Sequence, residues 1–418
     1  RWSGLRVIMR PRARVTLLTA WFLVLAGGLV AYPFATVRWQ QFTSRYVGLD
    51  PPGPWHVVGT TLAAVAAFAS LLGLWRLIAG LFDWLLVRVE SRVVRESIAR
   101  VIATVATVGV LLLVLDRVLR PGGLALAHRA ADRVNAEDPV ALSAPTSPLR
   151  SGGPGSSEAW ESLGQDGKIF VSAAPTAGDI AVATGRESRE PIRLFVGVGR
   201  PTLQERLEAL LAEMDRTGAF QRKVVDVQFA TSTGYLNLGS VAALEFLTDG
   251  DCATVSLQYS TLPSALGLLT AGDDPPQAAR VLLGGVAARI AAIDPAYRPQ
   301  LVVGGESLGA YGGNGAFDTP EDLLARVDGA VWTGTPNFTP LHATITARRT
   351  LGSTEVNPVV DNGRNFRFAQ SAPELLADHY GRELGAWQFP RIVYLQHDSD
   401  PVTWWSPSLL FDSPERLR

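Results

Sequence analysis

Cysteine is almost missing from this chain: Cys252 is the single one among 418 residues, which excludes an internal disulfide and leaves the redox compartment open. Methionine occurs twice, and lysine only at Lys168 and Lys223, so arginine carries nearly all the positive charge. Neither sign of charge is in excess. The net charge of −1 gives no reason to expect nucleic acid as a partner. There is no His-x-x-x-His, no pair of cysteines and no Gly-Lys-Ser phosphate cradle, so no cofactor and no metal is expected. Histidine is scarce, at His56, His128, His342, His379 and His397, and none follows residue 397. The chain is instead rich in apolar residues, 47% against 18% charged. That is too apolar for a disordered polymer and, at this length, enough for two or three domains.

The longest apolar runs lie in the first third. Val15 to Val37 is a run of 23 without a charge, and Trp55 to Trp75 one of 21 whose only titratable group is His56. At 1.5 Å per residue each reaches about 30 Å, the thickness of a bilayer's hydrocarbon. Val101 to Leu115 adds 15 uncharged residues between Arg100 and Asp116, extendable if the flanking arginines snorkel. Three transmembrane spans, at about 15–37, 55–75 and 101–118, are therefore expected in a helical region covering 1–134. Leu77 to Val87 reads either as an interfacial amphipathic helix or as a prolongation of the second span. Arg1, Arg6, Arg10, Arg12 and Arg14 precede the first span, and Arg76, Arg88, Arg92, Arg95 and Arg100 separate the second from the third. The connection from 38 to 54 holds only Arg38 and Arg45. Positive charge stays inside, so everything after about residue 120 is expected outside the cytoplasm. The spans carry almost no internal polar residues, which argues against a transporter or channel.

Between 135 and 165, Pro139, Pro145, Pro148 and the stretch Ser151-Gly152-Gly153-Pro154-Gly155-Ser156-Ser157 read as a linker. From 166 to 418 the pattern becomes strands alternating with helices: strands at 193–198, 224–230, 254–259, 300–304, 329–333 and 391–396, helices at 202–216, 240–247 and 277–293. This is an α/β pattern, implying a mostly parallel sheet with helices on both faces and ligands at the carboxyl ends of the strands.

One of those strands runs into Gly305-Glu306-Ser307-Leu308-Gly309 and then into small residues that can open a helix, the pattern of a nucleophile elbow. A serine on so sharp a turn needs small neighbours two residues away on either side, which Gly305 and Gly309 supply. Ser307 is the candidate nucleophile, and the Leu308 N–H one expected oxyanion donor. The second donor is expected from the small, polar loop Thr231, Ser232, Thr233 and Gly234 after the strand at 224–230. A serine nucleophile also needs a base and an acid to orient it, in the chain order serine, acid, histidine. Asp400, in Asp398-Ser399-Asp400-Pro401-Val402, is the candidate acid, with Asp398 or a purely turn-forming role for Asp400 as alternatives. Every histidine precedes Asp400, so the base is expected beyond residue 418 in a longer natural protein, with His397 the second choice. His379 reads as a helix-surface residue, and Cys252 as a structural residue in a turn before a strand.

Several stretches together resemble the α/β-hydrolase family of bacterial, mainly actinobacterial, multi-span membrane proteins. They are Pro191-Ile192-Arg193-Leu194-Phe195-Val196-Gly197, Arg216-Thr217-Gly218-Ala219-Phe220, Leu257-Gln258-Tyr259-Ser260, Gly305-Glu306-Ser307-Leu308-Gly309, Arg326-Val327-Asp328-Gly329-Ala330, and Val393-Tyr394-Leu395-Gln396-His397 through Trp404-Trp405-Ser406-Pro407. The resemblance implies a helical membrane region followed by an extracytoplasmic serine-hydrolase domain that continues past Trp-Trp-Ser-Pro into a region with histidines. The expected activity is that of an esterase, lipase or acyltransferase on acyl esters of lipid or cell-envelope material, in contact with the bilayer. The rival expectation is a catalytically silent binding or scaffolding protein that keeps the fold. Substrate identity and oligomeric state stay open.

Overall fold

The structure, a computed structural model, describes residues 11–46, 51–53, 55–92, 95–139, 142–270 and 272–406. Arg1, Arg6, Arg10, Pro407 and the chain through 418 lie outside the described residues. Two compact units divide the chain, Arg1–Gly122 and Gly123–Arg418.

The first unit is helical: α1 (Pro11–Tyr46), α2 (Trp55–Glu90) and α3 (Glu96–Val114), the last passing through a π-helical segment, Leu115–Leu119, into α4 (Arg120–Ala136). Two helices, Trp55–Glu90 and Glu96–Ala136, are long and apolar enough to cross a membrane. Within the expected first span, the apolar stretch that stands out is the shorter Val15–Val24. Leu77 to Val87 continues α2 rather than forming an element of its own.

The second unit is built on seven strands: β1 (Ile192–Val196), β2 (Val224–Phe229), β3 (Cys252–Leu257), β4 (Gln300–Glu306), β5 (Gly329–Thr333), β6 (Phe366–Ala369) and β7 (Arg391–Leu395). They form one sheet in the order β1-β3-β2-β4-β5-β7-β6, every pairing parallel. The helices of this unit are α5 (Gly164–Ser172), α6 (Ala177–Thr184), α7 (Leu203–Thr217), α8 (Leu238–Leu247), α9 (Ser264–Thr270), α10 (Asp274–Ala291), α11 (Leu308–Asn314), α12 (Pro320–Arg326) and α13 (Pro340–Thr346).

Strands buried on both sides explain the apolar runs of β4, β5 and β7, and β1 and β3 are likewise buried along their whole length. One face carries Leu194, Val225, Val227, Val255, Leu301 and Val303, packed against α7 and α10. There, α7 presents Leu207, Leu210 and Met214 at helical spacing and starts on a capping box between Thr202 and Glu205. The other face holds a smaller cluster of Leu163, Phe170, Val171, Phe195 and Val241 from α5, α8 and their neighbours. It is also polar. The Arg193 guanidinium, fully buried, makes a two-pronged ion pair with Glu245 at 2.7 and 2.8 Å and donates to the Phe170 carbonyl at 2.7 Å. Asp226 accepts from Gln228 Nε2 at 2.9 and 3.1 Å and from Thr254 Oγ1 at 3.1 Å, and burial pushes its carboxyl up to about 7.

In the stretch read as a linker, the described part lies along the edge of the sheet: Ser151 N–H donates to the Arg193 carbonyl, and the Phe195 N–H donates to Ser151 Oγ at 2.9 Å. Cys252 is the first residue of β3, not a turn residue, and burial pushes its thiol up to about 12. His379 stands exposed in a turn, not on a helix. The Asp378 carboxylate accepts the N–H groups of Tyr380 and Arg382, and Gly381, at φ 77°, reverses the chain.

Candidate active site

The strand order sets β2 beside β4, while the chain leaves β2 through α8 toward β3 on one side and β4 through α11 and α12 toward β5 on the other. Connections that diverge in this way open a crevice at the carboxyl ends of the two strands, where sheets of this kind hold ligands.

Ser307 stands at that crevice, between the end of β4 and the first residue of α11, with φ 53° and ψ −115°. A non-glycine residue held there stores about 1–3 kcal/mol of backbone strain. Hydrogen bonds hold it in place: its N–H donates to the Thr333 carbonyl and its own carbonyl accepts from Tyr311 N–H, both at 2.9 Å. The flanking glycines are sterically obligatory. A Cβ on Gly305 would lie 2.7 Å from the Gly309 carbonyl carbon, and one on Gly309 would overlap the Phe229 carbonyl oxygen. Ser307 is exposed, and its Oγ bonds to no described residue. The Leu308 N–H, at the start of α11, likewise has no acceptor among the described residues.

Across the crevice runs the loop from Thr231 to Asn237. The N–H of Gly234 donates to the Thr231 carbonyl at 3.0 Å and that of Thr231 to the Tyr235 carbonyl at 3.1 Å, so two of the four nominated amides are consumed within the loop. Those of Ser232 and Thr233 have no acceptor among the described residues. The loop is fastened at two further points that sequence reasoning missed. Thr233 Oγ1 donates to Asp166 Oδ2 at 2.7 Å. Asn237 takes the Ser240 N–H as the cap of α8 and donates its own Nδ2 to Glu306 Oε2 at 2.6 Å, beside the nucleophile candidate. An asparagine just ahead of an apolar helix is a legible cap, whereas nothing in the sequence marks Asp166. Tyr235 lies within the field of both carboxylates: burial first, then Glu306 and Asp166, push its phenol up.

Asp400 lies at the same end of the sheet. Its Oδ2 is 3.5 Å from where a Cβ on Gly334 would stand, and Gly334 directly follows Thr333, the residue that holds the Ser307 N–H. Its Oδ1 accepts the Val402 N–H at 3.1 Å, so the carboxylate shapes its own turn as well. His397 is tied within its loop. Its Nδ1 is 2.7 Å from Ser399 Oγ, accepts the Ser399 N–H at 3.1 Å, and lies 3.2 Å from an Asp398 carboxylate oxygen. His342, on α13, is buried with its Nε2 3.2 Å from Gln396 Oε1 and its ring against Phe368 and Tyr394; burial pushes it down to about 4. Among the described residues no histidine bonds to Ser307 Oγ, and no group of acidic, histidine or cysteine side chains could hold a metal ion.

Two family models match the chain: the alpha/beta-hydrolase family over residues 192–418 and the alpha/beta-hydrolase family N-terminus over residues 2–175. No curated protein and no solved structure matches it. With the first of these models covering every strand of the sheet and the crevice at its carboxyl edge, the chain belongs to the alpha/beta-hydrolase family, whose members are generally hydrolytic.

Proposed function

We propose that the protein is a membrane-anchored serine hydrolase, an esterase, lipase or acyltransferase, that forms an acyl-enzyme on acyl esters of lipid or cell-envelope material. The observation that carries this reading is Ser307: strained, exposed, flanked by glycines that admit no side chain, and set beside unpaired amides. In this reading the Ser307 hydroxyl attacks the ester carbonyl. The oxyanion is held by the Leu308 N–H and by amides of the 231–234 loop, of which Ser232 and Thr233 are the unpaired ones. Asp400 orients the histidine that takes the serine's proton, for which His397, after its loop rearranges, is the candidate in this chain. Water or an alcohol then resolves the acyl-enzyme.

Attachment to a bacterial cell membrane through several spans, with the hydrolase domain outside, is supported by the two apolar helices and the arginine distribution. One observation favours a catalytically silent scaffold instead: no described histidine touches Ser307. The two readings separate in full-length protein supplied with p-nitrophenyl esters of increasing acyl length. The enzyme reading expects turnover that Ser307→Ala abolishes and Asp400→Asn reduces at least tenfold; turnover that is absent, or indifferent to Ser307→Ala, contradicts it.

A further inference from the structure

The loop from Thr231 to Asn237 uses its own Thr231 and Gly234 amides internally, and its Ser232 carbonyl accepts the Ser260 N–H at 3.2 Å from the end of β3. Among residues 231 to 234, the amides of Ser232 and Thr233 therefore remain to meet a ligand. Their direction depends on how the loop is held between two neighbours of the nucleophile candidate. At its start, the Phe229 carbonyl presses against Gly309. At its end, Asn237 holds Glu306 at 2.6 Å. The middle is held by one side-chain bond, Thr233 Oγ1 to Asp166 Oδ2 at 2.7 Å.

Asp166 comes from α5, ahead of β1, in the part of the chain matched by the N-terminus family model and not by the hydrolase model. In the first turn of a helix a carboxylate ordinarily serves the helix's own amides. Asp166 caps nothing; Thr233 is its one hydrogen-bond partner among the described residues. Gly234, at φ 98°, follows directly, and a Cβ there would lie 2.9 Å from the Phe195 ring, so the loop cannot retreat toward β1.

We propose that Asp166 is a positioning residue of the active site: its carboxylate holds the Thr233 hydroxyl and thereby aims the Ser232 and Thr233 N–H groups at the oxyanion formed on Ser307. This rests on the serine-hydrolase reading above. The segment ahead of β1, matched by the N-terminus family model, then contributes to catalysis through a residue of its own. Loss of one oxyanion donor costs about 10²–10³-fold in kcat, and a misaimed donor costs less, about 10–100-fold by the sensitivity of such sites to small displacements.

The test uses full-length protein, p-nitrophenyl butyrate as substrate and a fluorophosphonate as probe. Thr233→Val and Asp166→Ala are expected to lower kcat about 10–100-fold with KM within about twofold, and to slow labelling of Ser307 in proportion. Thr233→Ser and Asp166→Asn, which keep the hydroxyl and an acceptor oxygen, stay within about threefold of wild type. The double variant Asp166→Ala/Thr233→Val is no slower than the worse single one, because both break the same bond. The inference is overturned if Thr233→Val labels and turns over like wild type, if the conservative variants fall as far as the disruptive ones, or if the double variant's losses multiply. A wild-type protein that never labels at Ser307 overturns the serine-hydrolase reading, and the inference with it; normal wild-type labelling with an indifferent Thr233→Val overturns the inference alone.

Discussion

At the scale of single residues, Ser307 combines a strained backbone with an exposed hydroxyl. Its φ of 53° lies where glycine is at ease and other residues are strained. The energy stored there is held by the Thr333 and Tyr311 bonds on either side. Ser307→Gly and Ser307→Ala therefore both remove the hydroxyl but only the first relieves the strain. Thermal or denaturant unfolding is expected to show Ser307→Gly more stable than Ser307→Ala by about 1 kcal/mol or more; equal stabilities would mean the strain is not real. This residue was legible in the sequence because Gly-x-Ser-x-Gly after an apolar run encodes both the turn and the space it needs. Asp166 was not legible. The role proposed for it depends on a through-space partner, Thr233, 67 positions away, and no local pattern marks such a pair. No base is legible for a different reason: His342 is taken up by the core and His397 by contacts within its own loop, and no described histidine bonds to Ser307 Oγ.

At the scale of elements, the alternation of strands and helices was readable where parallel strands buried on both faces leave apolar runs, as in β4, β5 and β7. The strand missed by that reading is β6. Its Phe366-Arg367-Phe368 core puts an arginine in the middle of a buried strand, where pattern alone expects a valine. Arg367 is tolerated because its guanidinium donates to the backbone carbonyls of Gly363, Leu375 and Gly385 and lies over the Trp387 ring. The same principle governs β2, whose buried Asp226 is bonded to Gln228 and Thr254 but has no ion-pair partner among the described residues. Asp226 titrates at about 3.9 in an unfolded chain and at about 7 in the fold. Its folded pKa is raised, so its contribution to stability is fully present below about pH 4 and is lost as pH rises through 7. Asp226→Asn, neutral throughout, escapes that loss. Between pH 4 and pH 8, denaturant unfolding is expected to shift in favour of the variant over wild type by about 1–4 kcal/mol; a difference independent of pH would show that Asp226 is ionised inside the fold.

At the scale of the whole molecule, the boundary of the folded hydrolase unit lies well ahead of its first strand. Leu163, Phe170 and Val171 fill the smaller core, Ser151 pairs with β1, and the Phe170 carbonyl satisfies a nitrogen of the buried Arg193. A chain beginning at residue 192, where the hydrolase family model begins, exposes all of these. One beginning at residue 123, the edge of the second compact unit, keeps them. Circular dichroism and calorimetry are expected to show a cooperative transition for 123–418 and none for 192–418, since an Arg193–Glu245 pair that has lost the Phe170 carbonyl and its cover, together with an open core, offsets much of the roughly 5–15 kcal/mol that holds a typical domain. A cooperative melt of 192–418 would show that the preceding segment is an accessory to the fold. Composition had marked 135–165 as proline- and glycine-rich, which fits the irregular part at 142–159 and says nothing of whether it packs. Its hydrogen bonds to β1 became visible only with the strands in place.

The central claim, that the hydroxyl at position 307 is a nucleophile, is tested most directly by treating full-length protein with a fluorophosphonate and locating the adduct by mass spectrometry of the digested chain. A single covalent adduct on Ser307, lost in Ser307→Ala, is the predicted result. No adduct, or one that forms elsewhere and persists in Ser307→Ala, would contradict it.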